Sequence, residues 1–263
     1  MADAPVAIVT GGGRGLGRGI AERLAADGMR VVLAARTRGQ LDETAAAIAR
    51  AGGTAHAVQC DVTRAEDVAR TAQEARSRFG PVTLLVNNAG VAGPIGPIGA
   101  VDPGAWWETQ RVHVMGALLF MTHVIPQMEE AGGGRIVNIC SQAGTFVAAN
   151  YSSYAVAKCA LIRLSEHVDA ERRAQHIRVF PIQPGTILTD IATDTIASEE
   201  AKGYAAPLIA LLETITPEDS ARSLARLQDL VSDIARGRWD PLSGRYLDVD
   251  WDLDRMAEVS DGQ

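Results

Sequence analysis

Thr10-Gly11-Gly12-Gly13-Arg14-Gly15-Leu16-Gly17 is the stretch on which the fold turns. It follows the apolar run 6–9 and leads into a segment of helical period, 16–27, so a strand passes through a glycine turn into a helix. Glycines permit the tight turn and close backbone approach that bring free N–H groups at a helix N-terminus against a phosphate. The spacing reads T-G-x-x-x-G-x-G, not G-x-G-x-x-G, and by itself it leaves two readings: a phosphate cradle, or a loop that only turns the chain.

Working outward, the strand-then-helix unit repeats. Apolar runs at 31–35, 55–59, 82–86, 135–140 and 177–182 alternate with helical segments at 40–51, 64–79, 103–130 and 151–175. Strands apolar on both faces, joined by crossovers long enough for a helix, predict one doubly wound parallel α/β sheet of the Rossmann type with helices on both faces. Glycines at 52–53, 80 and 132–134 punctuate the ends of helices. No linker composition divides the 263 residues, so one domain spanning 1–263 is expected. At 186–213 the strand signal lapses into mixed apolar and acidic helix directly after a strand end, the place for a substrate lid; a surface insertion is the alternative. A last strand is read at 243–249, followed by an acidic segment.

Composition narrows the function classes. With 47% apolar and 22% charged residues the chain reads as a globular protein, and its net charge of −7 disfavours nucleic acid and anionic membranes. Cys60, Cys140 and Cys159 are too few and scattered for a disulfide framework or metal site and read as buried small side chains. His56, His123, His167 and His176 show no clustered ligand spacing, so no metal is expected. The start, Met-Ala-Asp-Ala-Pro, lacks the basic residues of a secretory signal, and the apolar stretch 112–121 is shorter than the ~20 residues of a bilayer span. A cytoplasmic protein is expected.

The second strand run ends at Ala34-Ala35-Arg36, where an acid would hold the ribose 2′-OH of NAD and a neutral residue beside an arginine makes room for the 2′-phosphate of NADP. Arg36 and Arg14 offer guanidinium groups suited to that phosphate, solvated surface arginines being the alternative. NADP(H) is therefore the expected cofactor, with NAD(H) second. Asp61 is placed to accept from an adenine amino group, with Val62 beside it; capping the helix at 64 is the other reading.

Tyr154 and Lys158 lie four residues apart, one helical turn on one face, and Ser141 ends the preceding strand run. A phenol with an ordinary pKa of about 10 needs neighbouring positive charge to exchange protons near neutrality, and Lys158 supplies it. Ser141 can fix a substrate oxygen within reach of Tyr154. With Asn87-Asn88-Ala89-Gly90 after the fourth strand run and Pro184-Gly185-Thr186-Ile187-Leu188-Thr189 after the sixth, the sequence resembles the short-chain dehydrogenase/reductase family over about 6–249.

That resemblance implies an NAD(P)-dependent oxidoreductase with Tyr154 as general acid/base. Lys158 would bind the nicotinamide ribose and lower the tyrosine pKa, and Ser141 would position the substrate oxygen. Gly11, Arg14, Gly15, Leu16, Gly17, Asn88, Ala89 and Gly90 would line the cofactor groove, joined by Pro184, Gly185, Ile187 and Thr189 near the nicotinamide. Tyr151, two turns from Lys158, reads as a pocket wall.

Where similar proteins carry asparagine in an N-x-x-G setting, this chain reads His113-Val114-Met115-Gly116. A neutral imidazole there either supports the same proton path, takes part directly with its own pH dependence, or simply packs. Trp106 and Trp107 either shape a substrate entrance or anchor helix packing. The segments near the substrate are mostly apolar, which favours a small, uncharged, fairly hydrophobic ketone or secondary alcohol. A homo-oligomer, tetramer or dimer, on the segments 103–130 and 151–175 is implied by the resemblance. Two other readings stand beside this one: a non-catalytic nucleotide sensor, opposed by the joint presence of Ser141, Tyr154 and Lys158, and cofactor-independent chemistry such as dehalogenation, opposed by the glycine turn and by lysine at 158.

Overall fold

The computed structural model describes residues 4–260, so the opening residues read above for a secretory signal lie partly outside it. Seven strands, β1 (Val6–Thr10), β2 (Arg30–Ala35), β3 (Thr54–Gln59), β4 (Val82–Asn87), β5 (Gly134–Ile139), β6 (Ile177–Gln183) and β7 (Leu247–Asp248), form one parallel sheet in the order β3-β2-β1-β4-β5-β6-β7. Side chains alternate across the sheet: Ala7, Val9, Val31 and Leu33 enter one core, while Val6, Ile8, Val32 and Ala34 enter the other. Apolar side chains dominate both cores, which is why these strands read as continuous hydrophobic runs.

The first core is roofed by α1 (Gly15–Ala26) and α2 (Arg38–Arg50); the second by α3 (Ala65–Phe79). The segment expected as one helix over 103–130 is α4 (Pro103–Gln110), a π turn (Arg111–Met115) and α5 (Gly116–Glu130). A π turn offsets the hydrogen bonding by one residue, and here it carries buried His113. Next come α6 (Ser152–Arg172), then α7 (Asp190–Ala197), α8 (Glu199–Tyr204) and α9 (Ala206–Glu213) across the expected lid, and α10 (Pro217–Ala235) and α11 (Leu253–Ser260). Helix α10 starts with a reciprocal capping box between Thr216 and Asp219 and buries Leu227, Leu230, Val231 and Ile234 in the first core.

Two expectations change. The last strand contracts from 243–249 to Leu247–Asp248, because Gly244 adopts a left-handed φ of 79° and Ser243 bonds back to Asp240 in a turn. Cys60 and Cys140 are buried as expected, but Cys159 is exposed on the outer face of α6. Among the described residues no helix is long and apolar enough to cross a membrane, and no group of three or more His, Cys, Asp or Glu could hold a metal ion.

A Cβ on Gly17 would lie 2.3 Å from the Gly11 carbonyl oxygen, which is backbone and cannot yield, whereas one on Gly39 would meet nothing within 4 Å. Gly17→Ala is expected to cost about 1–3 kcal/mol, the usual range for overpacking. Gly39→Ala should be neutral or stabilising by up to about 1 kcal/mol through the unfolded chain. Urea unfolding midpoints of the two variants check both signs.

Candidate active site

Strand order reverses between β1 and β4, opening a crevice at their carboxyl ends. The crevice is held by Thr10, whose hydroxyl accepts from the amides of Asn88 (2.9 Å) and Ala89 (3.0 Å), and whose carbonyl accepts from Asn88 Nδ2 (2.8 Å). On the β1 side, α1 begins after Arg14 with no side-chain cap and no acid in its first turn. Its leading amides, at Gly15, Leu16 and Gly17, have no capping side chain to satisfy them. Gly15 is left-handed at φ 53°, and a Cβ there would meet nothing within 4 Å, so open space lies before those amides. An uncapped, acid-free helix start facing a groove fits a pyrophosphate. Leu16 packs its side chain on the first core, so its offer to a nucleotide is its backbone. The same holds for Val62, buried in the second core.

Arg36 is exposed at the end of β2, and no acid stands on that strand end. Arg14 is exposed and its Nε pairs with Asp190 at 2.9 Å, linking the glycine turn to the first residue of α7. Asp61 caps no helix; its Oδ1 accepts from the amide (2.9 Å) and hydroxyl (2.8 Å) of Thr63. On the far rim, left-handed Gly185 sits against Val249 and Ser223, Pro184 and Ile187 are half-buried, and Thr189 caps α7 by accepting from Ala192.

On the β5 side the structure brings Ser141, Tyr154, Lys158 and His113 together. Ser141 follows β5 and accepts from the Ala143 amide at 3.2 Å, and its hydroxyl lies near enough to Tyr154 to favour the phenolate. Lys158 is buried; its Nζ donates to the Ile139 carbonyl at 2.6 Å and lies 5.4 Å from the Tyr154 ring centroid. Burial pushes this ammonium down to about 8. Burial likewise pushes the Tyr154 phenol up to about 12, with the Ser141 side chain pulling the other way. Among the protein's own groups, then, desolvation outweighs the acidification expected from Lys158.

His113 enters from the π turn and places its ring edge-on to Tyr154, 5.4 Å between centroids and 89° between planes. Its Nε2 faces both the Val91 carbonyl (2.9 Å) and the Val91 amide (3.2 Å), donating to the one or accepting from the other according to tautomer, and Nδ1 is buried without a partner. Burial, then the Lys158 charge, push this imidazole down to about 3. The ring is neutral throughout the working pH range, and of the three readings above its direct titration is the one this environment opposes. A Cβ on Gly90 would lie 2.5 Å from His113 Cε1, so glycine at 90 makes room for the imidazole.

Sequence reasoning missed two features. Asn87 donates to Asn138 (2.8 Å) and Asn138 to Ser165 (2.8 Å), a buried polar chain running from β4 through β5 into α6. Single asparagines inside strand runs were its only signal. The second is a cleft of about 500 Å³ between the loop after β4 and helices α7 and α8, lined by Gly93, Ile95 and Tyr204 and by the carboxylates of Asp102, Asp194 and Glu200.

Comparison with known proteins names the class. The family model described as short chain dehydrogenase matches residues 5–200. The chain is 33% identical over 244 residues to a cis-4-hydroxycyclohexanecarboxylate dehydrogenase from Sinomonas cyclohexanicum, covering 93% of this chain and 97% of that one. It is 32% identical over 225 residues to 2-(S)-hydroxypropyl-CoM dehydrogenase 3 from Xanthobacter autotrophicus, covering 83% and 87%. A solved structure of 7α-hydroxysteroid dehydrogenase complexed with NADH and 7-oxo glycochenodeoxycholic acid superposes with a TM-score of 0.78 at 29% identity, covering 94% and 92%. The chain belongs to the short-chain dehydrogenase/reductase family and is an NAD(P)-dependent oxidoreductase.

The depressed His113 carries a stability signature. An unfolded histidine takes up its proton near pH 6.5, the folded one only near 3, so folding stability should fall as pH drops through that window. The loss attributable to His113 is at most about 1.4 kcal/mol per pH unit. Urea titrations of the parent protein and His113→Asn at several pH values should show a shallower acid slope in the variant.

Proposed function

We propose that this protein interconverts a ketone and a secondary alcohol with NADP(H), using Tyr154 as general acid/base. The observation that carries the reading is the convergence of Ser141, Tyr154 and Lys158 beside the glycine turn at one crevice. The bound nicotinamide supplies the hydride acceptor or donor at its C4 position. Ser141 holds the substrate oxygen, Tyr154 gives that oxygen its proton in reduction and takes it in oxidation, and Lys158 contributes the positive charge that stabilises the phenolate. His113, fixed neutral on the Val91 backbone, orients the Tyr154 ring.

Two relatives support the substrate class by name: a hydroxycyclohexanecarboxylate dehydrogenase and a hydroxysteroid dehydrogenase held with an oxo compound. Each name pairs a ring alcohol or ketone with this family. In the present chain the apolar cluster of Ile95, Tyr151, Ala201, Ala205 and Ile209 beside Tyr154 favours a hydrophobic body. Three carboxylates on the neighbouring cleft, with no lysine or arginine among its lining residues, disfavour an anion. The NADP(H) preference rests on Arg36, exposed at the end of β2 where NAD-selective sites carry an acid. A homo-oligomer is supported by exposed Met115, Leu118 and Val156 on the two segments expected to pair with a second copy.

Consumption of NADPH and NADH across a panel of neutral ketones tests the activity. Tyr154→Phe is expected to lower turnover by about 10²-fold or more, the usual contribution of a positioned acid/base. A nucleotide sensor would bind without turnover in either form. Arg36→Asp should raise the KM for NADPH by about 10-fold or more, the loss of a charge-assisted phosphate contact, and leave NADH less affected. Unchanged NADPH kinetics would refute the assigned preference.

A further inference from the structure

We propose that Asn150 is a positioning residue for the substrate: its side chain and its carbonyl hold together the two walls of the cleft that opens beside Tyr154, and so set the size of ketone the site selects. The proposal rests on the reading of Tyr154 as acid/base and adds what fixes the space around the substrate's body.

Asn150 stands in the loop between β5 and α6 with a left-handed backbone, φ 63°. Asparagine enters this region more readily than most residues that carry a Cβ. From there it reaches two segments. Its carbonyl accepts from the Gly96 amide in the loop after β4 (2.7 Å), and its Nδ2 donates to the carbonyl of Tyr204, the last residue of α8 (2.8 Å). The final carbonyls of a helix find no partner within it, so the Tyr204 oxygen is available to be held from outside.

The residues that follow leave Asn150 little freedom. Ser152 accepts from Trp106 Nε1 of α4 (3.1 Å), the Ser153 hydroxyl donates to the Pro94 carbonyl (3.1 Å), and the Ser153 carbonyl accepts from Gln110 Nε2 (2.7 Å). Residues 150–153 are thus fastened to α4 and the loop before it, and the end of α8 is fastened to Asn150.

Both partners of Asn150 are walls of the cleft of about 500 Å³. The walls meet here: a Cβ on Gly96 would lie 3.6 Å from Cδ2 of the Tyr204 ring. Ile95 lines the same cleft and also joins Tyr151, Ala201, Ala205 and Ile209 in the apolar cluster against which Tyr154 packs. A substrate whose oxygen sits at Ser141 and Tyr154 has this cleft for its body. Apolar burial holds α8 down, but it is non-directional and does not fix where the helix end comes to rest. The hydrogen bond from Asn150 does. Without it the Tyr204 wall shifts against the Gly96 wall while the apolar cluster keeps the lid folded. A bulky ketone then loses contacts, a ketone too small to touch both walls loses none, and the nucleotide groove is unaffected.

Asn150→Gly and Asn150→Asp test this in the full chain, with acetone, cyclohexanone and a decalone as substrates. The glycine keeps the left-handed backbone and the bond from Gly96 and loses only the side chain. The aspartate keeps the shape, but its carboxylate cannot donate to the Tyr204 carbonyl. Each should raise the decalone KM by about two- to tenfold, the effect of one hydrogen bond, with cyclohexanone between and with kcat, the acetone KM and the NADPH KM within about twofold. Both should also speed hydrogen exchange of the α8 amides in the nucleotide-free protein. Asn150→Ala loses the same tie and adds backbone strain, so its urea midpoint should fall below that of Asn150→Gly. A KM change of equal size for all three ketones, or none, would overturn the size selection, and unchanged α8 exchange in both variants would overturn the tie. If the parent protein reduces no ketone, the functional reading fails separately, and α8 exchange still decides whether Asn150 holds this wall.

Discussion

The hydroxyl of Thr10 carries the pairing of β1 and β4 past the end of their ladder, into the loop where the site begins. At the reversal between β1 and β4, it accepts from the Asn88 and Ala89 amides while Asn88 reaches back to its carbonyl. The glycine turn sits on one side of this clasp and the Tyr154 helix approaches from the other. A crevice at a switch point exists in any doubly wound sheet, but its width here is fixed by these bonds. Everything the site does depends on backbone amides and a phenol being held a set distance apart.

The electrostatics of the crevice share one cause. Burial pushes Tyr154 up, Lys158 down and His113 further down, each toward its neutral form. A site that penalises charge in all its own groups responds strongly to charge brought from outside, because little water remains to screen it. The chemistry of the family fits such a setting, since positive charge arrives with the oxidised nicotinamide. His113 contributes by staying neutral. Its hydrogen bond to Val91 and its edge contact to Tyr154 are fixed geometry, not a titration.

Much of this was legible in the sequence, for reasons specific to each element. Strands buried on both faces leave unbroken runs, so six of seven were read to within a residue or two, and the glycine turn announced its own helix. The Tyr154 and Lys158 pair was legible because helical periodicity fixes which residues share a face. The π turn at Arg111–Met115 was not, since a one-residue offset in hydrogen bonding has no composition of its own. Nor was the pairing of Arg14 with Asp190, which depends on where the lid comes to rest. The same holds for Tyr151, read from spacing as a wall, whose ring stacks on Tyr154 and packs with Ala201, Ala205 and Ile209 of the lid segment. The shortening of the last strand came from a left-handed glycine, whose turn outweighed the strand propensity around it.

The fit of His113 against Gly90 also restricts the routes by which this sequence could drift. The imidazole occupies the volume where any side chain at 90 would begin, so a larger residue there evicts the ring before gaining anything of its own. A smaller residue at 113 has to come first, and until it is fixed in the population, enlargement at 90 is closed. The two positions form a ratchet: substitution histories of this lineage should pass through the 113 change and then the 90 change, never in the reverse order.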